Sequence, residues 1–349
     1  MKKTDKIIII MFIAICFLIG VAQRSECSFA KSYGGVTTER ANSIQQTSDG
    51  GYIIAGWTNS FGVGNLDVSV LKIDAIGNIV WQKTYGAVLD EGAYSIQQTS
   101  DGGYIVAGWT ESFGAGESDF LILKLDSSGN IIWQRTYGST GYEAAHSIQQ
   151  TTDGGYIVVG GTDSFGGPYE NIWVLKLNSI GDIIWQKTFG GDYTDYANSI
   201  QQTSDEGYIV AGWTNSFGAG ESDYWVLKLN SSGDISWQRT YGGVLSEEAN
   251  SIYQTSDGGY IVTGYTLSFG AGNSDLLVLK LDSNGNVEWQ NTYGGPLDEN
   301  AFSIREISDS GFAIAASSNS FGSGNADALI MKLNNLGNII WQNTYGGEF

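Results

Sequence analysis

Short apolar stretches bounded by Gly, Asp, Asn and Ser recur along the chain, and no stretch beyond residue 22 keeps the 3.6-residue period of an amphipathic helix. Between Tyr94 and Tyr137 four such stretches predict four strands: Tyr94–Thr99 (a), Gly103–Thr110 (b), Asp119–Asp126 (c) and Asn130–Tyr137 (d). They are rich in β-branched and aromatic residues. The a–b connection is Ser100-Asp101-Gly102-Gly103 and the c–d connection is Asp126-Ser127-Ser128-Gly129-Asn130. Glycine in these positions supplies the positive φ of a tight hairpin, so both connections predict antiparallel neighbours.

The same text returns. Trp81, Trp133, Trp185, Trp237, Trp289 and Trp341 are spaced by 52 residues each time, and Phe29 holds the preceding register. Each is followed by a variable acidic stretch and then by a segment such as Ser95–Gly116, SIQQTSDGGYIVAGWTESFGAG. The repeats run 29–80, 81–132, 133–184, 185–236, 237–288 and 289–340, with a partial copy at 341–349. A unit of this length cannot bury its apolar faces alone and must stack on its neighbours. Two coils of a parallel β-helix would fit the length but turn through corners rather than hairpins. Four antiparallel strands per unit predict an all-β protein, a β-propeller of six four-stranded blades. A truncated seven-bladed ring and an open array are the alternatives, because FAKSYGG near the N-terminus is a seventh d-like segment.

The run Leu125-Asp126-x-x-Gly129-x-x-x-Trp133 resembles the tryptophan-docking segment of quinoprotein-like propeller repeats, and the whole unit resembles repeats of secreted bacterial and archaeal β-propeller proteins. The resemblance spans 29–349 and implies the fold, with strand a innermost and d outermost. It implies no quinone cofactor, because quinone-binding residues form no recognisable set and the Asp-to-Gly spacing differs by one residue. It also places the d–a and b–c loops on one face and the two hairpins on the other. The d–a loops read GVTTER, AVLDEG, STGYEA, GDYTDY, GVLSEE and GPLDEN, whereas the hairpins barely vary. The loop face is therefore the candidate binding surface.

Residues 1–22 read as an export signal: Lys2, Lys3 and Lys6 precede an uncharged run from Ile7 to Ala22, with cleavage expected after Ala22 and a single propeller domain over 23–349. Sixteen apolar residues fall short of a spanning helix. Neither Cys16 nor Cys27 has a lipoprotein context, and the mature chain keeps only Cys27, which excludes an internal disulfide. The expected location is outside the cell or on its surface. With 49 Gly, 2 Pro and 13% aromatics the chain is neither disordered nor collagenous, and a formal charge of −20 argues against nucleic acid or an anionic membrane as partner.

Four charged registers recur. Glu39, Glu91, Glu143, Asp195, Glu247 and Glu299 stand in the d–a loops, where a ring of hard oxygens could bind Ca²⁺ or a cationic partner, or else cap backbone amides. Asp67, Asp119, Asp223, Asp275 and Asp327, with Asn171 as the exception, open strand c. Lys72, Lys124, Lys176, Lys228, Lys280 and Lys332 lie inside that apolar strand, and such a lysine must be paired. Each is expected to meet an acid from one of those two registers. The hairpin acids Asp49, Asp101, Asp153, Asp205, Asp257 and Asp309 fit Asx-turns.

The repeat breaks at two places. The end of strand b reads Trp57, Trp109, Gly161, Trp213, Tyr265 and Ser317, and the start of strand a reads Asn42, Tyr94, His146, Asn198, Asn250 and Phe302. Trp57, Trp109, Trp213, Tyr265 and His146 are the candidate ligand-binding residues, with aromatic faces suited to sugar rings or partner side chains. The asymmetric cluster Pro168-Tyr169-Glu170-Asn171 lies in the same repeat as His146. No nucleophile elbow, HExxH motif or phosphate loop occurs, and six equivalent carboxylates single out no catalytic pair. The expected function is a noncatalytic binding or scaffold module for an unidentified carbohydrate or protein, without a cofactor unless Ca²⁺ fills the acid ring. A carbohydrate- or quinone-related extracellular enzyme and a structural surface-layer component are the alternatives.

Overall fold

The computed structural model of the chain describes residues 31–347; the expected signal, Phe29 and both cysteines lie outside them. Blade I consists of β1 (Glu39–Gln46), β2 (Tyr52–Thr58), β3 (Asp67–Ile73) and β4 (Ile79–Tyr85), paired antiparallel in chain order. The same starting positions recur at 52-residue steps through β24 (Ile339–Tyr345), giving six four-stranded sheets and the β-propeller fold. Strand a of each blade starts three residues earlier than predicted, at the d–a acid. The predicted start in blade II, Tyr94, falls at a bulge between Ala93 and Ser95, which breaks the period-two pattern by which a strand is recognised. Among the described residues no helix is long and apolar enough to cross a membrane.

The chain divides into two compact units, 1–150 and 151–349. In the first, Ile53, Ala55, Val68 and Val70 of blade I pack on Ala93, Ile96, Val106 and Leu123 of blade II. In the second, Ile209, Ala211, Tyr224 and Val226 of blade IV meet Ala249, Ile252, Val262 and Leu277 of blade V in the same way. Strands b and c are covered on both faces, which is why they read as unbroken apolar runs rather than as alternation.

The d-strand tryptophans wedge between blades. The Trp81 ring meets Tyr104 of the next blade edge-on with centroids 5.8 Å apart, and Trp185–Tyr208 and Trp237–Tyr260 repeat this at 5.8 and 5.9 Å. Gly129, at φ 77°, lies under Trp81, and a Cβ there would come within 2.9 Å of the ring. Tyr85 donates its hydroxyl to the Gly129 carbonyl at 2.6 Å, and burial pushes that phenol well above its usual pKa. The invariant Gly of the c–d hairpin thus serves the tryptophan of the preceding blade. The N-terminal segment copies this contact on blade I: Tyr33 donates to the Gly77 carbonyl at 2.7 Å and Lys31 reaches Asn78, as Lys83 reaches Asn130.

The SIQQ text links neighbouring a strands. Ser43 Oγ accepts from the Ile96 amide, and Gln45 Oε1 from the Gln98 amide. Gln98 Oε1 in turn accepts from the Ser48 amide. Side chains thereby take up backbone donors that have no strand partner on that side. Tyr253 and Arg305 replace the first Gln in blades V and VI, and the guanidinium lies 5.2 Å from the tyrosine ring centroid.

The lysines of strand c do not pair with either loop-face acid. Their partner is the acid of the a–b hairpin: Lys72–Asp49, Lys124–Asp101, Lys176–Asp153, Lys228–Asp205, Lys280–Asp257 and Lys332–Asp309. Strand register explains this. Lys124 stands opposite Ile105, so its side chain reaches the hairpin that opens strand b, and the loop-face acids lie beyond the other end of the blade.

Candidate functional site

The end of each blade that carries the d–a and b–c loops is held by its acids. Glu91 is fully buried. Its Oε1 accepts from Thr110 Oγ1 at 3.0 Å and from the Ser112 amide at 3.2 Å, and its Oε2 accepts from the Ala87 amide at 2.9 Å. One carboxylate therefore ties the end of strand b, the b–c loop and the d–a loop together. Glu247 and Glu299 bind the equivalent donors, among them Thr266 and Gly243 for the first and Ser318 and Gly295 for the second. Asp195 reaches Thr214, Ser216 and the Gly191 amide with its shorter side chain. Glu39 accepts from Thr58 at 3.3 Å, and Glu143 from the Ser139 amide at 2.9 Å.

The second acid register closes the b–c loop from below. Asp119 Oδ2 accepts from the amides of Ala115 and Gly116 at 2.9 and 3.2 Å. Its Oδ1 and Glu143 Oε2 both lie within 2.5 Å of the point a Cβ on Gly138 would occupy, so only glycine fits between them. Asp67 and Glu91 flank Gly86 alike, and burial, then the Glu91 charge, raises the Asp67 carboxyl above its usual pKa. Among the described residues no group of three or more His, Cys, Asp or Glu is brought together as a metal site requires. The geometry of the acid ring is that of a set of loop clamps.

The aromatic register of strand b stands opposite the second residue of strand a. Trp57 faces Arg40 and with it lines an open cavity shared with Ile54 and Leu71; Ser69 borders this space where blade II has Leu121. Trp109 lies over Gly92, its indole nitrogen 2.7 Å from the point a Cβ would occupy. The Trp213 ring stacks on Tyr196 with centroids 5.6 Å apart, and Tyr265 hydrogen-bonds Glu248.

His146 belongs to the register of the strand-a bulge. There Asn42, Asn198 and Asn250 donate to the carbonyls of Ala93, Ala249 and Ala301 in the following blade. His146 meets Tyr94 edge-on at 5.0 Å, and Tyr94 is also hydrogen-bonded to Trp109. Burial first, opposed by Arg40 and that hydrogen bond, raises the Tyr94 phenol. Two local clusters therefore form around predicted residues, Trp109 and His146 with Tyr94 in the first unit and Trp213 with Tyr196 in the second.

Glu170 is a further candidate residue, one that sequence patterning brings forward only as part of an irregular segment. It swings into the space left by Gly161, where blades I, II, IV and V hold Trp or Tyr; its Oε1 is 2.1 Å from the point a Gly161 Cβ would occupy. Burial, then the charge of Asp163, pushes this carboxyl up to about 7. The available signal was the joint exchange, Gly at the end of strand b with Glu just before strand c.

A family model described as "Domain of unknown function (DUF5122) beta-propeller" matches residues 99–131 and 255–288. Among curated proteins no sequence matches. Solved structures share the fold at low identity. The chain is similar to the structure titled BBS1N in complex with ARL6DN at 10% identity and TM-score 0.53, covering 90% of this chain and 83% of that one. It is similar to a puromycin hydrolase at 11% identity and TM-score 0.53, covering 89% and 47% respectively. The Pan2 WD40 domain of Neurospora crassa matches at 14% identity and TM-score 0.50, covering 83% and 75%.

Proposed function

We propose that this chain is a noncatalytic binding or scaffold module, exported or displayed at the cell surface, that engages a carbohydrate or protein on the end of its blades bearing the d–a and b–c loops. One observation carries this reading. Charged and amide side chains that recur in most or all of the blades, such as Glu91, Asp119, Lys124 and Gln97, are taken up in repeated structural bonds. Variation gathers instead in the d–a loops and at the aromatic register beside them. Such a division suits a constant frame presenting a variable surface. A fixed catalytic constellation would need unique groups in complementary roles.

The reading is tested with a glycan array probed by the mature chain and by Trp109→Ala and Trp213→Ala variants that retain the parent melting temperature. Loss of a glycan signal in the variants supports the site. A signal that survives both changes removes these aromatics from the binding surface. Fractionation of cells carrying a tagged full chain tests export, and recovery only in the cytosol would overturn that part.

A further inference from the structure

Blade III departs from its neighbours by a paired exchange. Where blades I, II, IV and V end strand b on Trp57, Trp109, Trp213 and Tyr265, blade III has Gly161; where Ser118, Ser222 and Ser274 precede strand c, blade III has Glu170. The two changes compensate in volume. The carboxyl fills the place of an indole and leaves a single acid where blades I, II, IV and V offer an aromatic ring.

The chain on either side of it carries tyrosines. Tyr169, the preceding residue, lies 6.0 Å from Tyr193 between ring centroids, and both are about half exposed. On the other side the Glu170 carbonyl accepts from the Asp195 amide at 2.9 Å, which sets Glu170 beside the chain leading into Tyr196 and its stack on Trp213. Burial and then the Asp163 charge act on the Glu170 carboxyl, whereas loop-clamp acids such as Glu91 and Asp119 are held by hydroxyl and amide donors. An acid adjoining a half-exposed tyrosine pair in the chain, on a protein of charge −20, is complementary to a cation that carries apolar stems.

We propose that the Glu170 carboxylate, together with the Tyr169–Tyr193 pair that adjoins it in the chain, is a recognition site for a lysine- or arginine-bearing polypeptide segment. This inference rests on the binding-module reading and names its partner class. The cation would pair with the carboxylate while its methylene stem lies along a tyrosine face. Binding requires the ionised acid. Since burial holds this carboxyl at about 7, affinity should rise with pH between about 6 and 8.

The test is calorimetric titration of the mature chain with acetyl-trilysine amide, with acetyl-triserine amide as the neutral control. Glu170→Gln is expected to weaken trilysine binding about tenfold and to abolish its rise with pH. Glu206→Gln removes the same charge from an exposed hairpin at the opposite end of its blade and is expected to change affinity less than about twofold. Equal weakening by the two variants would show diffuse attraction to an acidic surface and overturn the site. If Glu170→Gln fails to fold, the double change Tyr169→Ala and Tyr193→Ala takes its place, and unchanged binding overturns the proposal. Absence of trilysine binding alongside a glycan that still needs Trp213 would remove the cationic partner and leave the binding reading intact.

Discussion

The Lys124 ammonium lies 2.8 Å from the Asp101 carboxylate, yet the lysine side chain is 4% exposed and the aspartate 56%. The partners therefore differ in what they lose when separated. Strand c is enclosed on both faces, so the lysine has no route to water, while the aspartate at the hairpin can be rehydrated in place. Lys124 also donates to the Leu125 carbonyl at 3.1 Å, which ties the a–b hairpin to the end of strand c.

Asymmetric burial makes the two single changes unequal. Asp101→Ala strands a buried ammonium and should cost about 3 kcal/mol. Lys124→Met removes the buried charge, keeps the volume, and should cost about 1 kcal/mol or less, since the abandoned acid is solvated. Chemical denaturation of both variants checks the order, and a larger loss for Lys124→Met would refute the argument.

Acid should act on all these pairs together. Hydrogen bonds from Thr47 and Lys72 hold Asp49 at about 2. At Asp101, Asp153, Asp205 and Asp257 burial works the other way, but lysine, threonine and backbone donors still hold the acids at about 2. A carboxyl depressed on folding contributes stability above its unfolded pKa, near 4, and loses it as the pH falls toward 2. With solvent screening each pair contributes roughly 1 kcal/mol. The thermal midpoint should fall steeply between about pH 4 and 2, and less steeply in an Asp101→Asn, Asp205→Asn double variant, as scanning calorimetry would show.

Strand count and blade period were legible because near-identical units leave hairpin glycines and tryptophans in fixed register. The lysine partner was not. Three acid registers share one period, so sequence spacing alone cannot choose among Glu91, Asp101 and Asp119 for Lys124. Cross-strand pairing of Lys124 with Ile105 decides it, and that register follows only once the b–c connection is fixed. Glu170 was hidden for a related reason. Its meaning depends on the missing side chain at Gly161, which comes near it only after strands b and c pair. Gln45 and Gln97 were read as part of a repeat, but their role depends on contacts between a strands about fifty residues apart.

The acid clamp can be separated from a metal centre. Glu91→Ala removes an acceptor shared by Thr110, Ser112 and Ala87 and should cost about 3 kcal/mol, with Glu91→Gln intermediate because its carbonyl oxygen can still accept. Added millimolar Ca²⁺ should leave the parent melting temperature unchanged. A rise with Ca²⁺ that disappears in Glu91→Gln would restore the acid ring as a cation site.

The two hairpin glycines offer the sharpest separation of backbone from packing effects. Gly102, at φ 80°, has nothing within 4 Å of the point a Cβ would occupy, and its register already holds Glu206 at φ 65° and Ser310 at φ 60° in other blades. Gly102→Ala should therefore cost only the left-handed backbone penalty, about 1 kcal/mol, and Glu206→Gly should return a similar amount. Gly129 has nearly the same φ, but a Cβ there would meet the Trp81 ring at 2.9 Å, and its register is glycine in all six blades. Gly129→Ala should cost about 3 kcal/mol, the excess over Gly102→Ala measuring the seam contact. Trp81→Leu in the same background should erase most of that excess in a double-mutant cycle, whereas additive losses would show that Gly129 is held by its turn and not by the tryptophan.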